Sequence, residues 1–143
     1  ATDVSSQALE VAKENNELHN VNEKVLFLKS NLIKKLSVND NNFLIANLPY
    51  VPKKQYKKLD TSVRDFEPKN ALDGGKDGLK YYRRLLRQIK RKKLLKYKCT
   101  LLVEIEPSTL EDYIKLAKKY CAKEIAVLKD FREKDRFVLV HLS

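Results

Sequence analysis

Asn47-Leu48-Pro49-Tyr50 is the stretch of this sequence best suited to chemistry on a planar NH₂ group. An asparagine offers a side-chain oxygen that accepts hydrogen bonds from such a group. The proline stiffens the backbone beside it, and the tyrosine ring can stack on a flat partner. The run closes an apolar segment, Phe43 to Leu48 (FLIANL), that reads as a buried strand, so these residues stand at a strand's carboxyl end. An ordinary strand-ending turn would look the same. Asp3 also sits at the end of a short strand, Ala1 to Val4, just before a helix. In doubly wound folds ligands bind at those ends, and an acidic residue there can hold both hydroxyls of a ribose. A carboxylate in that place can equally cap the helix that follows.

Charge supplies a second feature. The 143 residues carry 30 Lys plus Arg against 19 Asp plus Glu, a net charge of +11. Lys80 to Lys98 (KYYRRLLRQIKRKKLLKYK) holds ten of the basic side chains and no acidic one, which leaves the remainder at 20 against 19. Two readings stand: a solvated helix face followed by a basic turn, or contact with a negatively charged partner such as ribosomal RNA or a protein substrate. Other candidates are weaker. Cys99 and Cys121 have no paired histidine motif and read as half-buried thiols of a reduced, cytoplasmic protein. His19 and His141 read as structural. Two Cys and two His do not make a closely spaced zinc site, so no metal is expected. Glu104 ends an apolar strand at the ligand edge, where a structural role and a site role are equally open. No apolar run approaches the roughly 18 residues of a membrane helix, so a soluble chain without membrane contact is expected.

The elements that would position these residues alternate. Ser5 or Ser6 can cap a helix to about His19, with Ala8, Leu9, Val11, Ala12 and Leu18 on its apolar side. Val25 to Lys29 and Phe43 to Leu48 read as strands buried on both faces, and Leu32 to Leu36 as a short helical turn. Asp40, Asn41 and Asn42 suit a turn. Residues 49 to 78 have little periodicity and hold all three glycines, which predicts a long functional loop. Leu79 to Leu95 has helical spacing, with Leu79, Tyr82, Leu86 and Ile89 facing inward. Cys99 to Ile105 is a third core strand, Pro107 or Ser108 opens a helix to about Cys121, and Glu124 to Leu128 with Arg136 to His141 form an antiparallel terminal pair. Alternation of this kind predicts one α/β domain over 1–143, with a mostly parallel sheet between helices.

At this point the sequence resembles a known family. Asn47-Leu48-Pro49-Tyr50 looks like the [DNS]-x-P-[FYW] motif of methyltransferases that modify planar NH₂ groups with S-adenosylmethionine. Val51-Pro52, Arg64-Asp65-Phe66-Glu67-Pro68, Ala71-Leu72, Gly74-Gly75, Asp77-Gly78-Leu79 and Tyr82-Arg83 resemble, in order and spacing, the signature of the HemK/PrmC family. Its members are protein glutamine methyltransferases acting on peptide chain release factors. Ala1 to Asn16 looks like the family's second strand and following helix, and Val103-Glu104-Ile105 and the closing strand pair also fit, so the resemblance covers nearly the whole chain. Three positions depart from it. Leu48 stands where the family usually has Pro, Asn31 where it often has Asp, and Glu106 where it usually has Gly after Glu-Ile.

The resemblance implies a Rossmann-like, class I methyltransferase fold with S-adenosylmethionine as cofactor. It implies that Asp3 holds the ribose, that Val4, Asn31 and Leu32 line the adenine pocket, and that Asn47 also contacts the cofactor. The Asn47 side chain and the Leu48 carbonyl would accept from the substrate NH₂ group, with Pro49 fixing the turn and Tyr50 packing on the amide. The substrate would be the glutamine of a Gly-Gly-Gln motif in a release factor, methylated by a monomeric cytoplasmic enzyme. An adenine amino-group methyltransferase acting on RNA or DNA shares the Asn-x-Pro-Tyr chemistry, and Leu48 and the basic stripe favour it. A non-catalytic binding module using the stripe is a further rival. The sequence has no Met, and neither the family's glycine-rich cofactor loop nor its N-terminal helical domain is recognisable in it. The expectation is therefore a partial catalytic domain whose sheet lacks its first, central strand between those ending at Asp3 and Asn47, and a chain that alone binds S-adenosylmethionine weakly.

Overall fold

The computed structural model describes residues 1–143 except 23, 38–41, 93, 95–98 and 121. It divides into two compact units, Ala1–Val38 and Asn39–Ser143. Asp40, Asn41, Cys121 and the end of the basic stripe, apart from Leu94, lie outside the described residues.

The first unit contains strand β1 (Thr2–Asp3), helix α1 (Ser6–Leu18) and strand β2 (Leu28–Lys29). Ser5 caps α1, its hydroxyl accepting from the Ala8 amide at 3.2 Å, and this satisfies one of the donors a helix start leaves unpaired. Only the Leu9 position of the expected apolar side is buried; Val11 and Leu18 are exposed. β1 and β2 are parallel neighbours, Thr2 beside Leu28 and Asp3 beside Lys29. The strand expected over Val25 to Lys29 is thus two residues long, and it is not buried on both faces, since Leu26 is exposed.

The second unit is built on a four-stranded sheet in the order β3-β4-β6-β5. Its strands are β3 (Asn42–Ala46), β4 (Cys99–Glu104), β5 (Ala122–Lys129) and β6 (Asp135–Leu142). β3 and β4 are parallel, and the terminal hairpin returns so that β6 pairs antiparallel with both β4 and β5. The sheet is therefore mixed. One face of it is the core: Cys99, Leu101 and Val103 stand opposite Leu142, Val140 and Val138, and all six are buried. Each such side chain contributes about 1.5–3 kcal/mol when it leaves water. Helix α5 (Lys80–Arg91) buries Tyr82, Leu85, Leu86 and Ile89, as its spacing predicts, and helix α6 (Leu110–Lys119) buries Tyr113 and Ala117. The Tyr82 and Tyr113 rings meet edge to face at 5.3 Å and lock the two helices together. A 3₁₀ turn at Pro107–Thr109 precedes α6.

Two expectations are corrected. Residues 49 to 78 are not one long loop: they contain α2 (Lys53–Tyr56), α3 (Thr61–Arg64) and α4 (Lys69–Leu72). A four-residue helix is barely one turn, too short to print a 3.6-residue period. The FLIANL strand is not buried on both faces either, because Phe43 and Ile45 are exposed, Ile45 at 75%. β3 is an edge strand of its sheet, and no ladder among the described residues joins that sheet to β1 and β2.

Candidate active site

The first unit gathers four of the residues singled out in the sequence. Because β1 and β2 run parallel and side by side, their carboxyl ends present Asp3 and Val4 next to Asn31 and Leu32. The Ser30 amide donates to the Asp3 carbonyl at 2.9 Å and fixes that adjacency. One carboxylate oxygen of Asp3 accepts from the Ser5 amide at 2.7 Å. That contact aims the carboxylate without enclosing it, and Asp3 remains exposed. The cap residue is Ser5, so Asp3 is not the cap of α1. Buried Ser30 accepts from the Lys35 amide at 3.1 Å and shapes the following turn. Within it Leu32 has φ +55°, a left-handed conformation that costs an L-residue about 1–2 kcal/mol and concentrates at functional sites. An exposed, oriented carboxylate can accept from two neighbouring hydroxyls, and an apolar side chain in the turn beside it can pack on a flat ring.

The second unit gathers the others. Asn47, Leu48, Pro49 and Tyr50 follow β3 directly, at the carboxyl edge of the sheet. Asn47 is exposed, and its side chain has no hydrogen-bond partner among the described residues. Tyr50 is half-buried, and its hydroxyl donates to a Glu104 carboxylate oxygen at 3.1 Å. Burial above all, then the neighbouring Glu104 charge and the hydrogen bond to it, raise the Tyr50 phenol above its ordinary pKa. It therefore stays a neutral donor and anchors its ring to the end of β4. Glu104 is held in turn, because the buried Tyr82 hydroxyl donates to its backbone carbonyl at 2.5 Å.

The glycines explain why so many separated letters occur together. Val51 and Asp73 form an isolated parallel bridge, with Val51 N–H donating to Leu72 and Gly74 N–H to Val51. That bridge presses residues 74–78 against the motif. A Cβ on Gly74 would lie 2.7 Å from the Tyr50 carbonyl carbon, and one on Gly78 would lie 2.5 Å from the Tyr50 oxygen. Gly78 also has φ +79°. Asp77 accepts from the Leu79 amide and pairs with Arg83, which fixes the entry into α5. Asp77, Leu79 and Arg83 thus hold the turn that carries Gly78. Arg64-Asp65-Phe66-Glu67 behaves differently. Arg64 and Asp65 pair with each other at 2.7 Å, and Phe66 is 85% exposed.

Sequence reasoning left the Glu104 role open and missed the Tyr82 hydroxyl and the glycine contacts. Repeated glycines downstream of a strand-end motif were the available signal. Asp3, Val4, Asn31 and Leu32 come together in one unit and Asn47 to Tyr50 in the other. Cys99 is fully buried, and burial raises its thiol pKa, so it is inert packing. Among the described residues no helix is long and apolar enough to cross a membrane.

The fold defines the class: a Rossmann-like α/β domain. The chain superposes on the hMettl16 catalytic domain, solved in complex with MAT2A 3′UTR hairpin 1, with a TM-score of 0.60 at 16% identity over 99% of this chain and 54% of that one. No family model matches the chain. Individual relatives do. It is 35% identical over 137 residues to the release factor glutamine methyltransferase of Caulobacter vibrioides, which is 96% of this chain and 47% of that protein. It is 32% identical over 148 residues to the same enzyme of Bacillus subtilis, 99% of this chain and 49% of that one. The chain is thus homologous, along nearly all its length, to the HemK/PrmC family of release factor glutamine methyltransferases, and it spans about half the length of the relatives it matches.

Proposed function

We propose that the protein transfers a methyl group from S-adenosylmethionine to the side-chain amide nitrogen of the glutamine in a release factor's Gly-Gly-Gln motif. The observation that supports this best is the convergence of the family signature on one place. Gly74 and Gly78 lie against the Tyr50 backbone, Asp77 and Arg83 pair in the turn that follows them, and Tyr82 holds the backbone of Glu104, the residue that accepts from the Tyr50 hydroxyl.

An amide nitrogen is a poor nucleophile because its lone pair is delocalised. Rate then comes from positioning and from acceptors aimed at the NH₂ group. The exposed Asn47 side-chain oxygen and the Leu48 carbonyl accept its two hydrogens, Pro49 fixes the angle between them, and the Tyr50 ring packs on the amide plane. Leu48 supplies its backbone carbonyl as well as a proline would. When bound, S-adenosylmethionine supplies an electrophilic methyl carbon. Asp3 binds its ribose, and Val4, Asn31 and Leu32 line its adenine. Exposed Phe66 suits contact with the release factor. The 143 residues belong to one catalytic domain that acts in the cytoplasm as a monomer, and Lys80–Lys98 faces a negatively charged partner such as ribosomal RNA.

Leu48 supports a second reading, an adenine amino-group methyltransferase on RNA or DNA, and the hMettl16 domain was solved with an RNA hairpin. The two separate on one assay. Given labelled S-adenosylmethionine, the protein at the full length encoded by its gene should label a purified release factor and leave RNA and DNA unlabelled. Label in nucleic acid alone would overturn the proposal.

A further inference from the structure

The turn between β5 and β6 carries an aromatic ring that the proposed methyl transfer does not use. Phe131 is 110% exposed, so its ring is wholly in water. It forgoes the roughly 1.5–3 kcal/mol that burial would give. The backbone around it is nevertheless fixed. One Asp130 carboxylate oxygen accepts from the Arg132 and Lys134 amides at 2.8 and 3.0 Å. The Asp130 amide donates to the Lys134 carbonyl at 2.8 Å, and the Glu133 amide to the Asp130 carbonyl at 3.0 Å. The other Asp130 oxygen pairs with Arg136 at 3.7 Å, and Arg136 also reaches Glu106 at 3.9 Å. Glu106 lies just beyond Glu104, the acceptor of the Tyr50 hydroxyl, so the tip is tied to the strand end that holds Tyr50. Strand pairing puts the tip on the site's side of the sheet. Glu104 stands opposite Phe137, and the Ile105 amide donates to the Arg136 carbonyl at 2.9 Å, so residues 130–134 lie beyond the carboxyl end of β4. β3 runs parallel to β4 and ends at that same edge, where Asn47 to Tyr50 follow it. In the order β3-β4-β6-β5 the strand that leads to Phe131 is three places from β3, roughly 14 Å at the usual strand spacing.

We infer that Phe131 is a docking residue for the methyl-accepting protein, seated in an apolar recess of the release factor outside its Gly-Gly-Gln motif; this rests on the methyl-transfer reading above. Three extended residues span at most about 10 Å, so the motif alone does not bridge Asn47 and the hairpin tip, whereas a folded substrate does. The charge around the ring selects a protein over a polyanion. Residues 129–136 hold four cations and three acids. Two of those acids, Asp130 and Glu133, pair with Arg136 and Lys129. A phosphate polymer gains little from a surface so balanced. An aromatic ring on a turn fixed beforehand loses little freedom on binding, and such rings carry much of the energy of protein interfaces.

The test is steady-state methylation of a purified release factor by the protein at the full length encoded by its gene, with the Kd of the pair measured separately by calorimetry. Phe131→Ser should raise both KM for the release factor and Kd by about tenfold, the scale for truncating an interface anchor. Its kcat and its KM for S-adenosylmethionine should stay within about twofold of the parent, as expected when only binding of the protein substrate is lost. Phe131→Tyr keeps the ring and should bind within about threefold of the parent. Both variants should melt within about 2 °C of it. The inference is overturned if Phe131→Ser leaves Kd within about twofold of the parent, or if Phe131→Tyr binds as weakly as Phe131→Ser. It is also overturned if Phe131→Ser lowers Tm by about 4 °C or more, the sign of a ring that packs on its own chain. The methyl-transfer reading fails on a different result, a parent protein that leaves the release factor unlabelled, and the inference then falls with it.

Discussion

Replacing the glycines beside Tyr50 separates two costs that act at the same place. In Gly78→Ala the new Cβ meets the Tyr50 oxygen at 2.5 Å, and φ is +79°. The left-handed backbone costs about 1–2 kcal/mol, and displacing a backbone oxygen costs about 1–3. Reduced freedom of the unfolded chain returns about 0.4–1. The net is about 3 kcal/mol. Gly74→Ala has the backbone collision, at 2.7 Å from the Tyr50 carbonyl carbon, without a positive φ, and after the same return costs about 1.5 kcal/mol. Gly75→Ala has φ +87° but meets only the Lys80 side chain, at 3.0 Å, for about 1 kcal/mol. For a unit of about a hundred residues, 1 kcal/mol moves Tm by roughly 4 °C. Thermal unfolding followed by circular dichroism should therefore rank the losses Gly78 above Gly74 above Gly75, at about 12, 6 and 4 °C. If Gly78→Ala melts within 2 °C or so of the parent, or if Gly75→Ala is the worst of the three, the glycines do not brace the motif as described.

Two further predictions concern the tyrosines. Burial raises the pKa of Tyr82 and Tyr113 far above the ordinary 10.0, so in the folded state both stay protonated where the unfolded chain ionises. Their contribution is complete below that value and is lost as pH rises beyond it; stability against urea should stay level up to about pH 9, fall steeply above about 10, and fall less in Tyr113→Phe. In Glu104→Gln the Tyr50 hydroxyl keeps a partner of the same shape but loses a charged acceptor. Release factor methylation should drop about three- to tenfold in kcat with KM for S-adenosylmethionine unchanged, whereas a merely structural Glu104 would lower Tm and leave kcat alone.

The elements with long amphipathic spacing were legible. Leu79, Tyr82, Leu86 and Ile89 recur at helical intervals and are all buried in α5. The hairpin of β5 and β6 was equally plain from its two apolar runs and polar turn. What escaped detection was either short or distant. Helices of four residues leave no period, and β2 pairs over two residues. The insertion of β6 between β4 and β5 depends on packing across the sheet, which local spacing does not encode. At the site, Asn47 and Tyr50 could be found because strand, proline and aromatic ring sit together in sequence. The glycine contacts and the Tyr82–Glu104 bond join residues 22 or more positions apart. They surface in the sequence only as a family signature whose physical reason was hidden.

The account rests on Asn47 accepting from a substrate NH₂ group, and one substitution tests that directly. In the protein at its full encoded length, Asn47→Ala should cut methyl transfer to a release factor by at least about a hundredfold, the scale for removing one preorganised hydrogen-bonding group. Binding of S-adenosylmethionine by calorimetry should stay within a few-fold, because Asp3, Val4, Asn31 and Leu32 remain. An Asn47→Ala variant that methylates the release factor at the parent rate would contradict the account.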